Sequence, residues 1–258
     1  MPLFCLPGAL LLGLTVNPVL LAQKPATAVV KGKKVITLQV PGRNEYCRID
    51  PGGHSVLPSG RYVTPAGQTV RITRAPYGLA LAPDGATALV LHNGVITLLD
   101  ARNPEKATRI PSYDGQVASA LEGASFLGVA FAKDSKTAYL SGGDKGNVVI
   151  FDLQKRVRTG EIKLDGTFDG TPYEDSFTSD LLINPDRNEL LVLDRGNFRL
   201  VRIDLATQRI TASVGVGRIP FGIALSPDRK TALVANVGLY AYPAVPGVTP
   251  TNGDTMML

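Results

Sequence analysis

Four segments of this 258-residue chain repeat one another. They are Pro76-YGLALAPDG-Ala86, Phe126-LGVAFAKDS-Lys136, Thr178-SDLLINPDR-Asn188 and Pro220-FGIALSPDR-Lys230. Each reads as a short apolar strand closing on a turn, and the turn aspartates Asp84, Asp134, Asp186 and Asp228 recur at intervals of roughly 42 to 52 residues. A second apolar strand follows each turn: ATALVLH from Ala86, TAYLSG from Thr137, ELLVLD from Glu189 and TALVAN from Thr231. In the first three repeats a third strand ends on an aspartate, as VITLLD (Asp100), VVIFD (Asp152) and RLVRID (Asp204). A fourth follows as ATRIP, RTGEIKL and RITASV.

Four strands per repeat at this period predict an all-β fold, a β-propeller built of four-stranded antiparallel blades. Blades cover one another on both faces, which explains why the inner strands are nearly continuous apolar runs. Small residues suit the crowded axis: Gly78, Ala80 and Ala82, Gly128 with Ala130, and Gly222 with Ala224. Pro83-Asp84-Gly85 supplies a fixed φ, a self-bonding carboxylate and a residue tolerant of positive φ. The other turns keep Asp and put Ser135, Arg187 or Arg229 in place of that glycine. One aspartate per blade at a tight bend is turn chemistry rather than a carboxylate site.

Residues 1–22 carry no charged side chain and have an apolar centre from Leu3 to Val16. They read as a secretory signal peptide ending at Ala22, which makes the protein exported, periplasmic or extracellular. The competing reading is an uncleaved membrane anchor, weakened by Pro7, Asn17 and Pro18. Cleavage removes Cys5 and leaves Cys47 as the sole thiol, so no internal disulfide is expected. Residues 23–56 form an N-terminal strand and loop, with a strand candidate at Val35–Val40. Residues 57–242 form the blades, and Gln68–Thr73 reads as a strand completing the last one. Residues 243–258 are a Pro/Gly/Thr-rich tail. A formal charge of +5 spread along the chain marks no nucleic-acid groove.

The unit Val214-GVGRIPFGIALSPDRKTALVAN-Val237 resembles the YVTN family of propeller repeats. Leu57-PSGRYVTPAGQTVRITRAPYGLALAPDG-Gly85 resembles the start of the YncE-like propeller found in bacterial two-part proteins, whose other half is an alkaline-phosphatase-like phosphoesterase. The resemblance covers roughly residues 35 to 242. It implies a seven-bladed ring, of which this chain holds about four blades, so the propeller is expected to be incomplete. It also implies a phosphoesterase domain as partner in the full-length protein, and a half ring offers an exposed blade face for self-association.

Enzyme motifs are wanting. Gly123-ASFL-Gly128 has the wrong spacing for a nucleophile elbow, and Gly215-x-Gly217 leads into a strand instead of a helix. No Walker A, HExxH or paired CxxC occurs, and with two histidines, His54 and His92, a histidine-rich metal site is not expected. No catalytic residue, metal ligand or cofactor is assigned. Tyr173-Glu174-Asp175 reads as a solvated loop between blades. The turns after each second strand share one rim of a propeller, which makes His92, Asn93, Asp144, Lys145, Asp194, Arg195, Asn197 and Asn236 the candidate ligand-binding residues. Asn/Asp-Gly hairpin chemistry is the favoured reading of the same turns. Two functions follow. The first is a binding or scaffold module for a small-molecule or protein ligand, without resident catalysis. The alternative is a metal-dependent sugar-lactonase-like hydrolase using rim groups such as Asp194 and Asn236.

Overall fold

The computed structural model describes residues 27–30, 33–36, 39–50, 52–67, 69–123 and 125–238. The expected signal peptide and the Pro/Gly/Thr-rich tail lie outside them. Residues 1–69 and 70–258 form two compact units. In the first, β1 (Thr27–Val30) pairs with β2 (Lys33–Ile36), and β3 (Ser55–Val56) pairs with β4 (Tyr62–Val63), both antiparallel. The strand expected at Val35–Val40 overlaps the end of β2. Cys47 is exposed and unpaired.

The second unit is a succession of antiparallel sheets, each a simple meander. Blade one is β5 (Pro76–Leu81), β6 (Thr87–His92), β7 (Val95–Asp100) and β8 (Asn103–Ile110). Blade two is β9 (Val129–Phe131), β10 (Thr137–Ser141), β11 (Asn147–Asp152) and β12 (Val157–Lys163). A small hairpin follows, β13 (Gly166–Phe168) with β14 (Thr171–Tyr173). Blade three is β15 (Thr178–Asn184), β16 (Glu189–Asp194), β17 (Arg199–Asp204) and β18 (Arg209–Gly215). The fourth sheet is β19 (Pro220–Leu225) with β20 (Ala232–Asn236). No helix occurs among the described residues.

The strand period of two divides each central strand between two cores. In β11, Val149 and Phe151 face blade one and pack with Leu89, Leu91, Ile96, Leu98 and Ile110. Their neighbours Val148 and Ile150 face blade three and pack with Leu181, Leu190, Val192, Val201 and Ile203. Tyr139 and Leu140 of β10 part in the same way. A strand buried on both faces has no polar side to show, hence VVIF.

The inner strands β5, β9, β15 and β19 lie side by side in that order. Glycine sets their spacing. A Cβ on Gly78 would stand 2.0 Å from the Leu127 carbonyl oxygen, and one on Gly128 2.8 Å from the Leu181 nitrogen. Asp180 occupies the equivalent place in blade three and reaches across instead, its carboxylate accepting from the Ile223 N–H of β19 (3.1 Å) and from its neighbour Leu181 N–H (2.9 Å). Burial pushes the Asp180 pKa up, against the pull of those two N–H groups.

The four turn aspartates are not equivalent. Asp84, Asp134 and Asp228 each accept from the backbone N–H two residues on, closing an Asx turn. Gly85, Ser135 and Arg229 then take positive φ at matching positions. In blade three Asn184 makes that bond to Asp186 N–H, and positive φ moves to Asn188. Freed of capping, the Asp186 carboxylate pairs with Arg229 of the next blade's turn (2.7 Å).

Two expectations change. Among Thr69–Thr73 no residue joins a strand, and Gln68 lies outside the described residues. Instead Val70 and Ile72 line an apolar groove of about 350 Å³ with Pro76, Tyr77, Gly78 and Leu79. A closing strand would need the outer edge of β20, which pairs with nothing beyond β19 among the described residues. The Tyr173-Glu174-Asp175 stretch is also more than a solvated loop, because Tyr173 belongs to β14 and covers a buried arginine described below.

The capping carboxylates tie the fold to pH. The Asp204 pKa is lowered by the Thr207 hydroxyl and N–H, that of Asp228 by the Ser226 hydroxyl and Lys230 N–H, and that of Asp152 chiefly by Lys155 N–H. Depressed folded values mean that this stabilisation is present above the unfolded carboxylate pKa of about 3.9 and is lost as pH falls through the folded values. Urea midpoints are therefore expected to fall on acidification below about pH 4, and Asp204→Asn to flatten the slope. A midpoint independent of pH there contradicts the assignment. Asp180 works with the opposite sign: its raised pKa favours the fold at low pH and weighs against it as pH rises through the folded value.

Candidate functional site

The last residues of β6, β16 and β20 are His92, Asp194 and Asn236, paired in register with Pro76, Thr178 and Pro220. Each sits where the chain leads into the first strand of its own blade, and the first two are buried. His92 is 1% exposed. A carbonyl can only accept, so the ring donates from Nδ1 to Arg74 O (3.1 Å) and Nε2 accepts from the Thr97 hydroxyl (3.0 Å). Both ring nitrogens are therefore occupied. Asn236 is exposed and lies against the Gly217 backbone, where a Cβ would stand 2.7 Å from its Nδ2.

Asp194 is fully buried and anchors a polar network. Its Oδ2 accepts from Arg199 Nε (2.8 Å), Ser176 Oγ (2.9 Å) and Asn197 Nδ2 (3.0 Å). Its Oδ1 accepts from the N–H groups of Phe177 (3.0 Å) and Asn197 (3.3 Å). Arg199 also donates to the Leu164 carbonyl (2.7 Å), and the Tyr173 ring covers its guanidinium at 3.5 Å from Cζ. Asn197 Nδ2 is shared with the Glu174 carbonyl (3.0 Å). The network clips the lead-in of blade three, and with it the β14 end, to the blade.

Asn93, Asp144 and Lys145 remain exposed at the same rim. Asp144 and Lys145 lie over Gly123, on which a Cβ would meet Lys145 Cε at 2.8 Å and Asp144 Oδ1 at 3.1 Å. Arg195 is half-buried, and it marks a feature that the reading of single turns passes over. Phe126, at the lead-in to β9, is surrounded by the rings of Tyr77 (6.0 Å), Phe177 (5.6 Å) and Phe221 (5.6 Å), the last two edge-on. One aromatic thus comes from each of the four blades. The Arg195 guanidinium stands 5.5 Å from the Phe177 ring and 5.8 Å from Phe126. It has no acidic partner and no side-chain hydrogen bond among the described residues.

Part of this was readable. Arg74-Ala75-Pro76-Tyr77-Gly78 and Arg218-Ile219-Pro220-Phe221-Gly222 repeat an Arg-x-Pro-aromatic-Gly pattern. Phe126 and Phe177 fall close to the same point of repeats two and three. Among the described residues no three His, Cys, Asp or Glu side chains gather into a metal-binding group. The second histidine, His54, belongs to the first unit, where it stacks on Tyr62 at 4.2 Å.

No family model and no curated protein matches this chain. Solved structures do. Hydrazine synthase of Kuenenia stuttgartiensis, a β-propeller protein, is 20% identical with a TM-score of 0.51, over 69% of this chain and 47% of that one. The fold is a β-propeller. The structure of dihydro-heme d1 dehydrogenase NirN in complex with DHE is 17% identical with a TM-score of 0.48, over 72% of this chain and 38% of that one. The chain therefore spans less than half the length of either. In all, 1042 solved chains match, and a shared fold by itself selects no function.

Proposed function

We propose that this propeller is a binding module, exported to the periplasm or cell exterior, whose ligand surface is the axial mouth on the rim that bears Arg195. The observation that carries this reading is the gathering of one aromatic from each blade at Phe126, with the Arg195 guanidinium over two of the four rings and without an acidic partner among the described residues. Sites of this kind, apolar with a few placed polar groups, are what ligand recognition requires. Asn93, Asp144 and Lys145 border the same rim. Export is supported by the uncharged apolar stretch of residues 1–22.

The finer lineage, YVTN-type and YncE-like, is supported by the quoted repeats and by Leu57-PSGRYVTPAG-Gly67. With it comes the proposal that the propeller works beside an alkaline-phosphatase-like phosphoesterase domain and holds no catalysis of its own. Open blade faces support self-association as well: Leu79 and Leu81 on blade one are 69% and 58% exposed, and Leu233 on β20 is 63% exposed. The lactonase alternative asks Asp194 to ligate a metal, which would mean breaking its bonds to Arg199, Ser176 and Phe177.

A hydrolysis screen separates these functions. Purified protein is expected to turn over neither sugar lactones nor phosphate monoesters, with or without added Ca²⁺, Mg²⁺ or Zn²⁺. Metal-dependent lactone turnover lost in Asp194→Ala and Asn236→Ala, with folding retained, overturns the binding-module reading. Phosphatase activity of this chain alone overturns the division of labour with a second domain.

A further inference from the structure

Arg195 shares a loop with Asp194, yet the two are used in opposite ways. The carboxylate is buried and taken up by Arg199, Ser176, Phe177 and Asn197. The guanidinium is turned out over two phenyl rings, without an acidic partner among the described residues. A guanidinium that makes no side-chain hydrogen bond to the described residues keeps its N–H donors unspent, and those donors match an oxyanion two at a time. The ground around it is apolar, and it is open. Tyr77 is 45% exposed and Phe221 38% exposed, so both rings offer surface to a further aromatic.

We infer that the axial mouth binds a ligand that carries an oxyanion, carboxylate or phosphate, on a planar aromatic body. Arg195 takes the oxyanion, while Tyr77, Phe126, Phe177 and Phe221 take the ring. A purely apolar ligand leaves the guanidinium unpaired on its face, and a small inorganic anion leaves the rings wet. Both halves are needed for the site to be filled. This rests on the binding-module reading and names the ligand class for it.

The test holds the ring constant and varies the head group. Binding of 2-naphthoate, 2-naphthyl phosphate and neutral 2-naphthamide to the intact protein is measured by calorimetry, beside inorganic phosphate and acetate. One or both naphthyl anions are expected to bind at least about tenfold more tightly than the amide, the worth of a charge-assisted hydrogen bond. Inorganic phosphate and acetate are expected not to saturate in the same range. Which naphthyl anion is preferred identifies the oxyanion.

Arg195→Gln is expected to remove the advantage of the anions and leave the amide unchanged, with Arg195→Lys between. Tyr77→Ala, at an exposed ring, is expected to weaken all three naphthyl probes, with circular dichroism melts confirming the fold. Equal binding of amide and acid overturns the proposal, as does anion binding unaffected by Arg195→Gln, or no binding by any probe. Failure of the class is distinct from failure of the site. Tyr77- and Arg195-dependent binding of a neutral ligand rejects the class and keeps the mouth as the binding surface. Lactone turnover that needs Asp194 rejects the module reading itself.

Discussion

Asp194→Ala is expected to cost the folded protein about 3–5 kcal/mol, the range for breaking a buried ion pair from one side. The charge of Arg199 is then left in an interior that exposes 2% of its side chain. Ser176 Oγ, Phe177 N–H and Asn197 lose their acceptor in the same step. In a domain of this size the loss lowers Tm by roughly 10 °C. Much of the damage comes from the orphaned cation, so the double variant Asp194→Leu/Arg199→Met should recover a large part of it, as apolar replacements of buried pairs commonly do. Urea denaturation of the two single variants and the double variant gives the coupling directly. A single-variant loss below about 0.5 kcal/mol would show that Asp194 is not the anchor described and would return it to the rim as a free carboxylate.

Gly78→Ala is the second large effect. Its Cβ would fall 2.0 Å from the Leu127 carbonyl oxygen, a backbone atom that moves only if blade two moves with it. A loss of about 3 kcal/mol is expected, at the upper end of overpacking costs. Gly128→Ala should resemble it, since its Cβ would meet the Leu181 nitrogen at 2.8 Å. Gly222 is the contrast. Nothing described lies nearer to a Cβ there than the Asp180 carboxylate at 4.0 Å, so Gly222→Ala should be neutral, or stabilising by up to about 1 kcal/mol because alanine loses less backbone entropy on folding than glycine. Should Gly222→Ala instead cost as much as Gly78→Ala, an inner strand packs on β19 in solution as β9 packs on β5.

The blade strands were legible because two-sided burial writes itself as apolar runs, and turn residues punctuate them. ELLVLD and β16 coincide residue for residue, and so do VITLLD and β7. The hairpin β13–β14 was not legible: GTF and TPY are three-residue strands without periodicity, and they are held by Tyr173 stacking on an arginine far along the chain. The candidate residues divided for a similar reason. Sequence sets His92 and Asp194 at the ends of second strands, but it does not show which way a side chain turns. Inward, toward the lead-in strand, His92 finds Arg74, and Asp194 finds Ser176 and Phe177, partners 17 or 18 residues away in number. Arg195 was named from its turn alone. Its setting over Phe126 and Phe177 depends on register between blades, which local pattern does not encode.

The inner strands also carry information about succession. Gly78 leaves room for a carbonyl of blade two, Gly128 leaves room for the backbone of blade three, and Asp180 grips an N–H of blade four. Each blade is cut to fit the one that follows it. Blades that look alike in sequence are therefore not exchangeable parts. Blade three moved into the place of blade one would set a carboxylate where a neighbour's carbonyl already stands, repelling it. A single inner-strand position thus works as an address, and recombination among the repeats is constrained there.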